Sequence, residues 1–357
     1  MTPYWLLWTF FFAGVFLSQR QALAAADSYA PEERPGLPPM LVVGLIAMTI
    51  MIGFRYEVGG DWINYEDMFK RFAFRDFAAS LTSIEPGYGL LNWAAQSLGL
   101  DIWFVNLLCA VPVVAGITAL IRREPNPWLS VLLAIPYLVV VVGMGYTRQA
   151  AALGFVMIGL AGLLRNDSVL RYALWVALGT MFHKSAIVCI PLIAFTGHRS
   201  RLLDLVLLAS ASVGLYALLL QDSVDRLVKN YIDARYMSAG AAIRISMSVL
   251  PAIILMLFRK RFDFDEDEYK LWRNFSLVSL VAAVALLVSP SSTAVDRIAL
   301  YLLPLQFVVL ARIPGTLLSR GFGNALISLY SGAVLFTWLN YAVNSRTWLP
   351  YKIWFFN

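Results

Sequence analysis

Long apolar runs recur along the chain at 4–18, 40–54, 102–121, 128–146, 148–164, 172–182, 185–195, 202–220, 242–258, 275–289, 297–311 and 325–343. Short stretches rich in charge, Pro or Gly separate them. None shows the strict alternation of a barrel strand, so the pattern predicts helices. Lipid offers no partner for backbone N–H and C=O groups, and a helix satisfies them internally. The expected fold is all-α: a polytopic integral membrane protein of about twelve transmembrane helices, with several more that do not cross.

The segments that do not cross carry most of the information. Residues 55–101 hold a charged, aromatic stretch between two apolar runs, and Trp62, Tyr65, Phe69 and Phe72 fall on one helical face. That spacing predicts a helix lying on the membrane surface. Residues 86–98 open with Pro86 and are too short to cross, which predicts a re-entrant or interfacial helix. Residues 172–195 read as a tight hairpin turning at His183 and Lys184, because basic residues flank it on both sides. Residues 221–241 alternate Val224, Leu227, Val228 and Tyr231 with charges and read as a second amphipathic segment on the same outer side. No soluble domain stands out, so residues 1–357 are expected to form a single integral membrane domain.

Composition and charge sharpen this picture. The chain is 60% hydrophobic and only 14% charged, against about a quarter charged in soluble domains. Its formal net charge of +6 is a topology signal and gives no reason to expect nucleic acid. Placing 55–101 on the periplasmic side puts Arg122 and Arg123, Arg165 and Arg171, the 198–201 cluster, the 259–261 cluster, and Arg312 with Arg320 inside, as the positive-inside rule requires. No Lys or Arg precedes the first run, so it reads as a span with its N-terminus outside and not as a secretory signal. Cys109 and Cys189 lie in apolar runs and read as small buried hydrophobes. With His183 and His198 the only histidines, a multi-histidine metal site is excluded. The acidic residues of 263–268 follow a basic cluster and read as a charge-balanced loop.

Under this topology the outer side collects Arg55, Asp61, Glu85, Arg148, Gln149, His183, Lys184, Arg235, Arg244, Asp296, Arg297, Arg346 and Lys352. Basic residues there run against the general trend and call for an anionic partner. Arg148, at the start of a span, can place a planar fork on phosphate oxygens with the helix N-terminus behind it. The small residues after it, up to Gly154, would let helices approach closely. The plainer alternative is an Arg snorkelling to lipid headgroups. Arg55 and Asp61 either pair with each other or serve the site, and Asp61 equally suits a helix N-cap. Glu85 is either helix grammar before Pro86 or an acid–base group. His183 is a satisfied core histidine or a general base whose pKa Lys184 keeps low. Asp296 and Arg297 suggest a helix start with a local ion pair, although Arg297 is also placed to touch an anion.

Together these stretches resemble the EpsG-like branch of the Wzy-type polysaccharide polymerases. The matching motifs are Arg55-x-x-x-Gly59-x-Asp61-x-x-x-Tyr65-x-x-x-Phe69, Glu85-Pro86-Gly87-Tyr88, Arg148-Gln149-x-x-Ala152, His183-x-Ser185-Ala186, Asp296-Arg297-x-x-x-Tyr301 and Pro350-Tyr351-Lys352. The resemblance implies an inner-membrane glycosyltransferase acting at the periplasmic face, similar in architecture to the type C membrane glycosyltransferases. Such enzymes move a growing glycan from undecaprenyl pyrophosphate onto the next lipid-linked repeat unit. The implied partners are that lipid-linked oligosaccharide and the bilayer; the class also admits a chain-length regulator protein. No cofactor, nucleotide sugar or metal is implied. Arg55, Arg148, Lys184, Arg244 and Arg297 would hold the pyrophosphate, and His183 or Asp61 would be the base. Tyr65, Glu85, Tyr88 and Gln149, with Trp62, would meet the sugar. Rival readings are a flippase for the same lipid-linked sugars, another polyprenyl-dependent ligase, and a membrane O-acyltransferase.

Overall fold

The computed structural model describes residues 1–26, 36–82, 85–165, 167–193, 206, 209, 213, 240–288 and 292–356. Among them no strand occurs, and strand-like pairing is confined to isolated bridges, Arg55 with Ile353 and Pro314 with Leu318. The α-helices are α1 (Thr2–Ala26), α2 (Pro39–Gly53), α3 (Trp62–Phe72), α4 (Phe77–Leu81), α5 (Pro86–Ser97), α6 (Ile102–Ile121), α7 (Pro127–Ala134), α8 (Thr147–Leu163), α9 (Val169–Thr180), α10 (Ala241–Leu257), α11 (Glu266–Val288), α12 (Ser292–Ala299), α13 (Pro304–Ala311) and α14 (Arg320–Tyr341).

Three of these, α6, α11 and α14, are long and apolar enough to cross a membrane. The pair Ser292–Leu302 and Pro304–Ala311 passes the same test together but bends by 46°. Shorter apolar helices complete the set, the longest of them 17 residues. At 1.5 Å per residue such a helix reaches about 25 Å, a little less than a hydrocarbon core of about 30 Å. Outward faces carry Val43, Ile46 and Ile50 on α2, Val281, Val284 and Leu287 on α11, and Phe322 and Leu329 on α14, all exposed. Exposed apolar faces on this many helices are what lipid contact requires. The molecule is an all-helical, multi-pass membrane protein.

Two expected spans differ in form. The run 297–311 is not one helix: α12 ends, a 3₁₀ turn covers Leu300–Leu302, and α13 restarts at Pro304. Proline has no N–H to offer the preceding turn, and the axis bends there. The run 128–146 begins as α7 and continues as a π-helix over Ile135–Gly143, with Pro136 in its first turn. Segment 86–98 is the short α5, opening on Pro86. The hairpin at 172–195 folds back as expected: α9 is followed by a 3₁₀ helix, Lys184–Ile193, and the Tyr172 hydroxyl donates to the Cys189 carbonyl at 2.7 Å. Most of 202–220 and 221–241, with Arg235 and the 198–201 cluster, lies outside the described residues.

Helix α6 is the axis of the packing. It meets α8 most closely where side chains are smallest: a Cβ on Gly154 would stand 2.3 Å from the Pro112 carbonyl carbon, and one on Gly116 would stand 2.5 Å from the Gly154 oxygen. Only glycine permits this crossing. The amphipathic α3 buries Trp62, Tyr65, Phe69 and Phe72 and exposes Ile63, Asn64 and Lys70. With α5 it packs Tyr65, Tyr88 and Ala95 onto Val105 and Cys109 of α6 and Ala151 of α8. Cys109 and Cys189 are buried free thiols.

Charged residues gather at two ends. Near the start of α6, Asn106 receives a hydrogen bond from Arg55. Just past its end, Glu124 binds Arg312, which also binds Glu268. A helix of this length is about 30 Å long, so the two polar clusters stand far apart.

Candidate functional site

The site is built around the start of α8. Arg55 sits just behind it and is fully buried, so its charge must be met from all sides. Its guanidinium donates to Ile52 O at 2.6 Å, Val58 O at 3.2 Å, Asn106 Oδ1 at 3.1 Å and Thr147 Oγ1 at 2.6 Å. This corrects two expectations: Arg55 neither pairs with Asp61 nor faces outward to a phosphate. It ties α2, α6 and the first residue of α8 together. The chain end closes the same corner: Tyr56 N–H donates to Lys352 O, Trp354 N–H to Phe54 O, and Gly59 N–H to Thr347 O. Gly59 has φ +114, a conformation open to glycine, and a Cβ there would stand 2.2 Å from the Met144 carbonyl oxygen.

Arg148 follows Thr147. Its Nη1 lies 2.5 Å from Glu85 Oε2, and its guanidinium stands 5.6 Å from the Tyr65 ring centroid and 5.8 Å from that of Tyr88. The carboxylate is 9% exposed and the Arg side chain 30%, so the arginine keeps an open edge. Glu85 is delivered by α5, whose Gly87 N–H donates to Met181 O at 2.9 Å. That bond docks the start of α5 on the turn after α9, beside His183 and Lys184. Burial raises the Glu85 carboxyl, and Arg148 and then Lys184 pull it back.

His183 Nδ1 lies 2.5 Å from Ser185 Oγ, which stands 3.2 Å from the Tyr301 hydroxyl. Burial first, then Arg148 and Arg297, push the imidazole down to about 4. It is therefore neutral at physiological pH, from causes other than the Lys184 charge expected from sequence.

Asp61 occupies the N-cap position of α3 but makes no capping bond, so the cap role does not engage its carboxylate. Burial raises its pKa; Arg297 and then Arg148 oppose the rise. Asp296 does not pair with its neighbour Arg297. It takes a bidentate pair from Arg244 of α10, with Nε–Oδ1 2.8 Å and Nη2–Oδ2 2.5 Å. Arg297 is left exposed, with no hydrogen bond or ion pair from its side chain among the described residues. Gln149 is buried and donates from Nε2 to the Arg297 carbonyl at 2.5 Å, so its amide positions α12. Tyr65 and Tyr88 are buried as well, with ring centroids 5.8 Å apart, and wall Arg148 in place of offering open faces. Lys352 pairs with Glu57.

The structure thus brings Asp61, Glu85, Arg148, His183, Lys184 and Arg297 together and sets Arg55 and Gln149 behind them as supports. Sequence reasoning missed Asn106, Thr147 and the full role of Tyr301; a polar residue inside an apolar run was the only available signal. Among the described residues no group of His, Cys, Asp and Glu converges to hold a metal ion.

An all-helical membrane protein with a cation-rich, half-buried site at one end is the class that fold and site define. The chain belongs to the EpsG family, whose family model matches residues 40–353. EpsG is a family of Wzy-like polymerases. At the level of the family this points to a polymerase-type glycosyltransferase role at the bilayer, on a lipid-linked substrate. Comparison with curated proteins and with solved structures finds no match.

Proposed function

We propose that this chain is a polysaccharide polymerase that transfers a growing glycan from undecaprenyl pyrophosphate onto the non-reducing end of the next lipid-linked repeat unit. The reaction takes place at the periplasmic face of the inner membrane, in one membrane-embedded unit of about twelve crossings and type C character. Residues 55–101 form its outer cap. The observation that carries this reading is the convergence of Asp61, Glu85, Arg148, His183 and Arg297, from five distant parts of the chain, at one end of a lipid-facing bundle.

Arg148, Arg297 and Lys184 hold the diphosphate; Glu85 orients Arg148. An acceptor hydroxyl oxygen attacks the anomeric carbon, the bond to the phosphate oxygen breaks, and the diphosphate leaves with the electron pair. Fixed guanidinium groups in a partly dry site stabilise that growing charge. Displacement from the far side inverts the anomeric centre. Arg244 serves indirectly, by fixing Asp296 and so the helix that carries Arg297.

Two groups compete for the hydroxyl proton, and the hydrogen bonds favour His183. The Tyr301 hydroxyl is fully buried, and Ser185 Oγ donates to it at 3.2 Å. With its proton committed there, Ser185 accepts from His183 Nδ1–H. A neutral imidazole that donates from Nδ1 has a bare Nε2. His183 then takes the proton at Nε2, and Asp61, whose carboxylate is held by the Asn64 side chain, is the second candidate.

The deciding experiment supplies purified protein with undecaprenyl-pyrophosphate repeat units and sizes the products on a gel. A ladder is expected, and Arg148→Ala should abolish it while protein abundance holds. Movement of substrate across liposomes without lengthening would replace this reading with a flippase.

A further inference from the structure

A second site lies at the opposite end of the bundle. A cavity of about 600 Å³ opens between α10, α13 and α14. Its long wall is Leu250, Ile254 and Phe258, spaced four residues apart on one face of α10 and its last turn, and the row ends on Arg261. Ile327 and Tyr330 of α14 line the facing side. From Phe258 to Leu250 the row descends about 12 Å at helical rise. It is a groove with a cation at its mouth and apolar side chains for the rest of its depth.

Two guanidinium groups at this end are spent on the protein and two are not. Arg312 is consumed by Glu124 and Glu268, and Arg259 stacks 4.1 Å over the Tyr269 ring. Arg261 and Arg320 are exposed, and neither side chain forms a hydrogen bond or ion pair among the described residues. Arg320 opens α14, the helix of the facing wall.

We propose that this groove binds one anionic glycerophospholipid, its phosphate on Arg261 and Arg320 and one acyl chain along Leu250–Phe258. Charge complementarity selects this occupant: an apolar chain explains the walls, and a negative headgroup explains two unpaired guanidinium groups at the interface end. A neutral lipid leaves those cations unanswered, and a zwitterionic headgroup brings an ammonium that offsets its own phosphate beside them. The site is independent of the glycan chemistry, because α6 alone separates the two ends by about 30 Å.

The test is native mass spectrometry of the full-length protein, delipidated and titrated with phosphatidylglycerol or phosphatidylethanolamine of matched chains. Phosphatidylglycerol should be retained preferentially. Each of Arg261→Gln and Arg320→Gln should weaken it about fivefold, and the double variant about thirtyfold. Leu250→Trp, which fills the groove without touching charge, should also lower retention, while lipid-free thermal unfolding stays as in the parent protein. Equal retention of both lipids, or unchanged retention in the double variant, overturns the proposal. Preferential retention of a polyprenyl phosphate over phosphatidylglycerol overturns it too and assigns the groove to an isoprenoid tail.

Discussion

His183 and Asp61 can be told apart by what their protons do. With Ser185 donating to Tyr301, magic-angle-spinning NMR of ¹⁵N-histidine protein, with His198 replaced by Gln, should show His183 protonated at Nδ1 and bare at Nε2. Tyr301→Phe frees Ser185 to donate to Nδ1 instead and should mix the two tautomers. A parent protein protonated at Nε2 would pass the base role to Asp61. The pH profile gives a second reading. His183, held near 4, should keep transfer level as pH drops through its ordinary 6.5. Burial lifts the Asp61 carboxyl above its usual range; a protonated carboxyl cannot accept a proton, so a fall in transfer through that raised value would assign the base to Asp61. His183→Ala should cost about 10²–10⁴-fold, measured as ladder formation against pH. Arg148, Glu85 and His183 stood out in the chain because they are ionisable residues among apolar runs. Arg55 stood out equally and proved to be a support. Charge type alone does not say which acceptors a guanidinium will find.

At the scale of elements, the arrangement depends on one tight crossing and one buried bracket. A Cβ on Gly154 would meet Pro112 backbone, which cannot swing aside as a side chain can. Gly154→Ala should therefore push α8 from α6, displace Arg148, and lower both thermal stability and activity; Gly36→Ala, with open space around its Cβ, should do neither. At the other end Arg312 joins the turns after α6 and α13 to the start of α11, with Nε 2.8 Å from Glu124 and Nη2 2.9 Å from Glu268. Two carboxylates share one guanidinium there, and burial raises Glu124 to about 7. Arg312→Leu would leave both acids unpaired and should cost about 3–5 kcal/mol, read by denaturation in detergent. The small residues after Arg148 announced the first of these contacts. The second was hidden, because Glu124 and Arg312 lie far apart in sequence and each reads as an ordinary loop charge.

For the molecule as a whole, orientation is the decisive quantity. Glu57 is exposed at the site end and Asp265 at the groove end, while the native thiols Cys109 and Cys189 are buried and should stay silent to labelling. Cysteine at 57 should react with an impermeant maleimide applied from the periplasm; cysteine at 265 should react only once the inner membrane is opened. Labelling of both from one side would dismantle the site as drawn. The sequence by itself determined that the chain is helical and membrane-embedded, and that α5 is too short to cross. Those properties follow from local apolar length. Only the tertiary structure decided which cations are open and which are spent, that Asp296 answers Arg244, and that the chain end closes over Arg55. Pairing across hundreds of residues is a matter of packing, and no local pattern encodes it.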